Sequence, residues 1–274
     1  TDGSAAVVRQ FGDPRIRLAT QKNMGAAHAR NRGIAEARAD LVAFLDADDR
    51  WLPEFLPTIL RLRARYPDAG AYATAYCLCR QDGTLREADL AALPPAPWEG
   101  LIPGYFRAAT LGEGLLTASS AAVPKEVLVR LGGFTEGEWW GEDTDLWGKI
   151  ALQYPIAFSR RIGAVYQTHL GDRVSDREQP LGDNPFIATA EEAIAAGTVD
   201  PVILSDLQEY VVAKKQLQTA ARNILAGRPD LARKQLRHCR TRTFARDRDR
   251  LLLTARIPAP LYKGYRAMWR LLGR

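Results

Sequence analysis

The chain has 274 residues, 46% of them hydrophobic, 26% charged and 8% aromatic. That is ample for a large core, and it excludes a chain disordered throughout. Three cysteines (Cys77, Cys79 and Cys239) exclude a disulfide scaffold, no apolar run reaches the roughly 18 residues that cross a bilayer, and the net charge of +6 is concentrated in residues 237–274, where eleven Lys/Arg face Asp247 and Asp249, a local +9 that leaves −3 for the rest.

In chain order, Arg15–Leu18 reads as a short strand. The Ala-rich stretch Gly25–Arg38 reads as a helix, with Ala26, Ala29, Ile34 and Ala37 toward one side. Leu41–Leu45 is a continuous apolar run between Asp40 and Asp46, the pattern of a buried parallel strand. Asp49 is placed to cap a helix from Trp51 to Tyr66, with Pro53 in its first turn. Ala69–Cys79 is a strand, and Asp82-Gly83 a turn.

Residues 91–104, rich in Pro and Gly, read as a loop. Then follow a strand over Thr117–Val123, a short helix over Lys125–Leu131, a helix over Glu142–Gln153, and two strand-like pieces, Ile156–Phe158 and Ala164–Tyr166. Residues 171–186 are a polar connection. Beyond it the character turns helical: Ser205–Ala226 stops at Gly227, Pro229 opens a second helix, and a last helix follows Pro258 and Pro260. The alternation predicts an α/β fold, helices on a mostly parallel sheet over residues 1–184, with a helical C-terminal extension over 185–274 that ends in the basic tail.

Three constellations could carry chemistry. Asp46, Asp48 and Asp49 follow directly on an apolar strand, where ligands bind in open α/β sheets. Carboxylates there suit hard cations such as Mg²⁺ or Mn²⁺; the plain alternative is a capped helix start, but three carboxylates at one cap repel each other without a cation. Glu142 and Asp143 open a helix beside Trp139, Trp140 and Trp147, which fits a general base against apolar walls as well as simple helix capping. His169 stands at a strand end, where a histidine is structural or a metal ligand.

The ordered set Asp2-Gly3-Ser4, Asn23 to Ile34 (NMGAAHARNRGI), Phe44 to Trp51 (FLDADDRW), Gly132-Gly133-Phe134 and Gly141 to Trp147 (GEDTDLW) resembles the family 2 glycosyltransferases from Thr1 to about His169. The resemblance implies a GT-A-like fold and an inverting, metal-dependent transfer from a nucleotide-sugar donor to a glycan, lipid-linked or protein acceptor. It implies a nucleotide half over residues 1–90 and an acceptor half over 91–184. Asp2 would meet the nucleotide base and Arg30 help hold the nucleotide. Asp46 would face the ribose or metal-bound water, and Asp48 would ligate Mn²⁺ or Mg²⁺. Asp49 would cap or share the metal. Asp143 would be the catalytic base, with Glu142 the alternative, and His169 a late metal ligand.

The family begins with a strand, helix and strand ahead of the DGS motif, so Thr1 falls inside the expected domain and a longer native polypeptide is expected. Two competing readings share the motifs: an inactive GT-A relative that binds a sugar nucleotide or glycan, and a sugar nucleotidyltransferase. The tail arginines suggest an anionic membrane surface rather than nucleic acid, since few aromatics interleave them. The expected location is therefore cytoplasmic, peripheral at the inner face of a membrane. The extension is otherwise a helical cap or an oligomer contact.

Overall fold

The computed structural model describes residues 3–168, 182–237, 239–241 and 243–257. Strands β1 (Leu41–Ala43), β2 (Arg50–Trp51), β3 (Ala71–Cys79), β4 (Leu85–Glu87), β5 (Glu99–Leu101), β6 (Ala121–Pro124) and β7 (Ile156–Gln167) form one sheet in the order β1-β6-β3-β7-β2, with β4 on β3 and β5 on β7. Helices α1 (Ser4–Gln10), α2 (Ala26–Glu36), α3 (Phe55–Arg65), α4 (Tyr105–Leu111), α5 (Lys125–Arg130) and α6 (Glu142–Gln153) accompany it. After β7 come α7 (Pro185–Ala195), α8 (Pro201–Tyr210), a π-helical segment (Val211–Leu217), α9 (Gln218–Leu225), α10 (Pro229–Arg237) and α11 (Ala245–Thr254).

The central strand β3 is buried almost throughout, and its alternation divides two layers. Ala71, Ala73 and Ala75 face a large core shared with Ile34 of α2, Leu128 of α5 and Leu146 and Ile150 of α6. Tyr72 faces the other side, where α3 lays Phe55, Ile59 and Leu62 against Ala122 and Ala157. These three α3 residues recur at helical spacing and are at most 1% exposed, worth about 1.5–3 kcal/mol each in burial. Behind the sheet, Phe186, Ala190, Leu207 and Tyr210 of α7 and α8 complete the large core. Gly148 of α6 leaves no Cβ where the Phe186 ring lies, so α7 sits directly on α6. Helices α9 to α11 have a smaller core of their own around Leu217, Ile224 and Leu236.

The α/β class and the helix-flanked sheet hold, but the expectation of mostly parallel pairing does not. Among the described strands only β3 with β7 is parallel; the other five pairings are antiparallel. An apolar run reports burial, and burial does not encode direction. The run at Leu41–Leu45 shows this: β1 is an edge strand, half-buried and antiparallel to β6. Arg15–Leu18 is exposed and irregular, with no strand beside it, and Arg17 instead reaches back to Glu36. The helix expected from Trp51 starts at Phe55, because Arg50 and Trp51 pair with β7. Ile156–Phe158 and Ala164–Tyr166 are one strand of 12 residues. The polar Arg160 and Arg161 at its middle lie where β5 ends and β2 begins, and they bond Leu90 O and Glu54.

Candidate active site

The acidic motif after β1 is held by a serine distant in sequence. The Asp46 N–H donates to Ser119 Oγ at 3.1 Å, and that hydroxyl donates to Asp49 Oδ2 at 2.6 Å. The Gln167 N–H donates to Asp49 Oδ1 at 3.0 Å, and the Trp51 indole donates to Ser119 O at 2.8 Å. Asp49 therefore caps no helix: it ties the loop to the end of β7 and to the 3₁₀ turn Ala118–Ser120. Burial pushes its carboxyl above the ordinary aspartate range, against the two bonds that pull it down. Asp46, Asp48 and Asp49 each present a carboxylate oxygen, all within 4.8 Å of one another. An oxygen-only set of this kind suits Mg²⁺ or Mn²⁺.

The second acidic motif opens α6. Gly141 precedes it at φ +90°, and a Cβ there would strike the Asn184 amide that caps α7, so the entry to the helix needs glycine. Asp143 Oδ1 accepts from the Thr144 N–H at 2.6 Å, and Asp143 Oδ2 has no hydrogen-bond partner among the described residues. The next acidic residue has another task. Asp145 is 1% exposed and accepts from Thr135 Oγ1 (2.5 Å) and Thr189 Oγ1 (2.7 Å) and pairs with Lys149 (2.6 Å), fastening α7 and the preceding loop to α6.

Arg30 of α2 joins the two motifs. It donates to Asp46 Oδ1 at 2.6 Å and to Glu142 Oε1 at 2.9 Å, with its guanidinium 5.2 Å from the centre of the Phe134 ring. Burial works against the Arg30 charge, but Asp46, Glu142 and Asp143 outweigh it and hold its pKa above the ordinary arginine range. Burial, then Asp143, holds Glu142 above the ordinary glutamate range although Arg30 pulls the other way. Asn31 beside it clamps Phe134 from both sides, accepting from its N–H and donating to its O, each at 2.8 Å. His28 of the same helix bonds Glu136 at 3.0 Å.

Arg30 and Glu142 each keep 14% of the side chain exposed, Asp46 33%. Replacing Arg30 by Met leaves two carboxylates without their shared counter-charge. We expect a loss of about 3 kcal/mol in urea denaturation, the low end for breaking a buried pair because Asp46 is partly solvated.

One cleft of about 820 Å³ contains both motifs: Asp46, Asp48 and Arg30 line it together with Glu142, Asp143 and Trp147. It is also lined by Tyr76 and Leu78 of β3, Tyr166 of β7, and Tyr105, Tyr210 and Lys215. Burial, with the charge of Asp143, raises the phenols of Tyr105 and Tyr210 well above the ordinary tyrosine range, so both are neutral hydrogen-bonding groups. Sequence reasoning missed Ser119, Tyr105, Tyr210 and Lys215. Each stands alone in a stretch with no motif, and only the fold brings them in. Asp2 and His169 lie outside the described residues, as do His238 and the tail from 258 onward.

Residues 1–126 match the model of glycosyl transferase family 2. Among relatives, TuaG of Bacillus subtilis (strain 168), assigned as a teichuronic acid biosynthesis glycosyltransferase, is 38% identical over 87 residues, 31% of this chain and 34% of its own. The succinoglycan biosynthesis protein ExoO of Rhizobium meliloti (strain 1021) is 41% identical over 100 residues, 34% of this chain and 28% of its own. The chain thus spans about a third or less of these relatives' length. Among solved structures, S. aureus TarS 1-349 in complex with UDP-GlcNAc superposes with a TM-score of 0.58 at 14% identity, over 97% of this chain and 80% of that one, and so shares the fold.

Proposed function

We propose that the protein is a metal-dependent, inverting glycosyltransferase that moves a sugar from a nucleotide-sugar donor to a hydroxyl of a glycan, lipid-linked or protein acceptor in polysaccharide biosynthesis. The observation that carries this reading is the shared cleft: the oxygen cluster of Asp46 and Asp48 and the carboxylate of Asp143 face one space large enough for a sugar nucleotide. Asp48 and Asp46 would hold Mn²⁺ or Mg²⁺; when bound, such a cation supplies positive charge to the departing diphosphate. Arg30 fixes Asp46 and Glu142 at their separation and adds charge to the same wall. Asp143, with Oδ1 held by Thr144, takes the proton of the acceptor hydroxyl at Oδ2. The hydroxyl oxygen bonds the anomeric carbon as the bond from that carbon to the phosphate oxygen breaks. The nucleoside diphosphate leaves with that electron pair, and configuration inverts.

Support for the family reading comes from the match over residues 1–126. The bound ligand of TarS makes UDP-GlcNAc the first donor to try. No helix among the described residues is long and apolar enough to cross a membrane. The arginines between Arg237 and Arg256 would bring the enzyme to anionic lipid at the cytoplasmic face, where a lipid-linked acceptor is found.

A panel of UDP-, GDP- and dTDP-sugars incubated with Mn²⁺ tests the reading. At least one donor is expected to release its nucleoside diphosphate. Release of pyrophosphate instead would identify a nucleotidyltransferase, and no release from any donor, with binding intact, an inactive binding module.

A further inference from the structure

The carboxylates of Asp46, Asp48 and Asp49 are organised from outside their own loop, and one buried hydroxyl reaches two of the three residues. Ser119 is 1% exposed. Its Oγ accepts from the Asp46 N–H at 3.1 Å and gives its one proton to Asp49 Oδ2 at 2.6 Å. A single atom thus fixes the first and last acids of the motif relative to each other. The Gln167 N–H holds the other Asp49 oxygen, and Arg30 holds Asp46 Oδ1. Asp48 is carried between them, on a turn closed by the bond from the Asp49 N–H to Asp46 O at 3.0 Å.

The serine is itself anchored. It lies in the 3₁₀ turn Ala118–Ser120, and the Trp51 indole donates to its carbonyl at 2.8 Å. The turn runs straight into β6, where Ala121 pairs with Ala73 of the central strand β3. β6 also pairs with β1, the strand from which the acidic loop departs. The hydroxyl therefore ties that loop to the middle of the sheet. Three carboxylates with oxygens within 4.8 Å repel one another, and a loop free to relax would spread them. Held by a hydroxyl, a backbone N–H and a guanidinium, they keep one spacing before any cation or donor arrives. Spacing and rigidity decide between hard cations: Mg²⁺ demands near-ideal octahedral geometry at roughly 2.0–2.1 Å, whereas Ca²⁺ adapts to six to eight oxygens at roughly 2.3–2.6 Å.

We infer that Ser119 is a positioning residue that sets which divalent cation these carboxylates take, favouring small octahedral ions over Ca²⁺. It acts through Asp46 and Asp49. The inference rests on the metal-dependent reading above and adds to it a determinant 70 residues from the nearer of the two acids. Loss of the hydroxyl frees Asp46 from Asp49, and the loosened set suits the larger, more adaptable ion.

Mn²⁺ titrated into the protein without nucleotide, followed by the electron paramagnetic resonance of the free ion and then displaced by Mg²⁺ or by Ca²⁺, tests this without turnover. Wild type is expected to bind Mn²⁺, and Asp48→Ala to lose that binding. Ser119→Ala should bind Mn²⁺ about 10- to 100-fold more weakly, the usual cost of removing a group that orients metal ligands. Its preference between Mg²⁺ and Ca²⁺ should move toward Ca²⁺ by about tenfold or more. Ser119→Thr keeps the hydroxyl and should stay within about threefold of wild type in both respects. Thermal melts check folding. If Ser119→Ala does not fold, Ser119→Cys, near in size but a weak donor, should show the same shift toward Ca²⁺. Equal weakening of Mg²⁺ and Ca²⁺ would leave Ser119 a support of the loop alone and overturn the inference, as would a Ser119→Ala protein with wild-type affinities. Failure of the metal reading shows separately: a wild type that binds no Mn²⁺, or an Asp48→Ala protein that binds it normally, would overturn that reading and this inference with it.

Discussion

Asp143→Asn is expected to lower kcat/KM by about 10²- to 10⁴-fold, the span that a positioned general base contributes, while the affinity for nucleoside diphosphate with Mn²⁺ stays within twofold. The substitution is isosteric, and the Asn Oδ1 can still accept from the Thr144 N–H that orients the wild-type side chain. What is lost is the basicity of Oδ2, the oxygen with no partner among the described residues. Because proton removal matters in the transition state, the loss falls on kcat rather than on the donor's KM. Glu142→Gln separates the two acids of the motif. Glu142 is engaged with Arg30, so its loss should appear mainly in stability, with far less effect on kcat than that of Asp143. A nucleoside-diphosphate release assay with acceptor present measures all three proteins. An Asp143→Asn enzyme within threefold of wild type would remove this residue from the mechanism.

Asp48→Ala is expected to lower activity by about 10³-fold and to abolish the increase in donor affinity that Mn²⁺ gives wild type. A cation on a departing diphosphate supplies several kcal/mol, and each 1.36 kcal/mol is a factor of ten. Asp48 is exposed, so its removal costs the fold little. Asp46 shares its oxygens with Arg30, and Asp49 shares its own with Ser119 and Gln167. That leaves Asp48 as the member of the cluster with no structural task of this kind. Calorimetric titration of UDP with and without Mn²⁺ measures the effect. The pattern should be the reverse of that for Asp143→Asn, which keeps the metal's contribution to binding. A normal Mn²⁺ effect in Asp48→Ala would place the cation elsewhere.

The parts of the site that were legible in the sequence are those where chemistry and local structure coincide. The acids after Leu41–Leu45 stand out because an apolar strand ends abruptly in charge, and Glu142-Asp143 because they open a helix. Arg30 was legible only through its place in the ordered motif set, and its double bond to Asp46 and Glu142 explains why one arginine on α2 belongs with both acidic motifs. The fold class was legible from alternating periodicity. Strand direction was not, since a strand buried on both faces has the same composition whether its neighbour runs up or down. Asp49 was misread because an aspartate before a proline-containing helix start fits a cap locally. The competing partners, Ser119 and the Gln167 N–H, lie 70 and 118 residues away. The long β7 looked broken at Arg160 and Arg161 for a similar reason: the two charges are tolerated by neighbours that only the sheet supplies. Tyr105, Tyr210 and Lys215 carry no local signal, because an isolated polar residue on a helix becomes part of a cleft only when three segments pack together.

The account stands on one spatial claim, that a donor sugar lies between Asp48 and Asp143. The most direct measurement is a crystal structure of the Asp143→Asn protein with Mn²⁺ and the donor selected by the panel, with the cation located by anomalous scattering. The account predicts the Mn²⁺ peak against the carboxylates of Asp48 and Asp46, the diphosphate on that peak, and the anomeric carbon facing residue 143 across the cleft. A cation or diphosphate bound away from Asp48, or an anomeric carbon turned from residue 143, would contradict it.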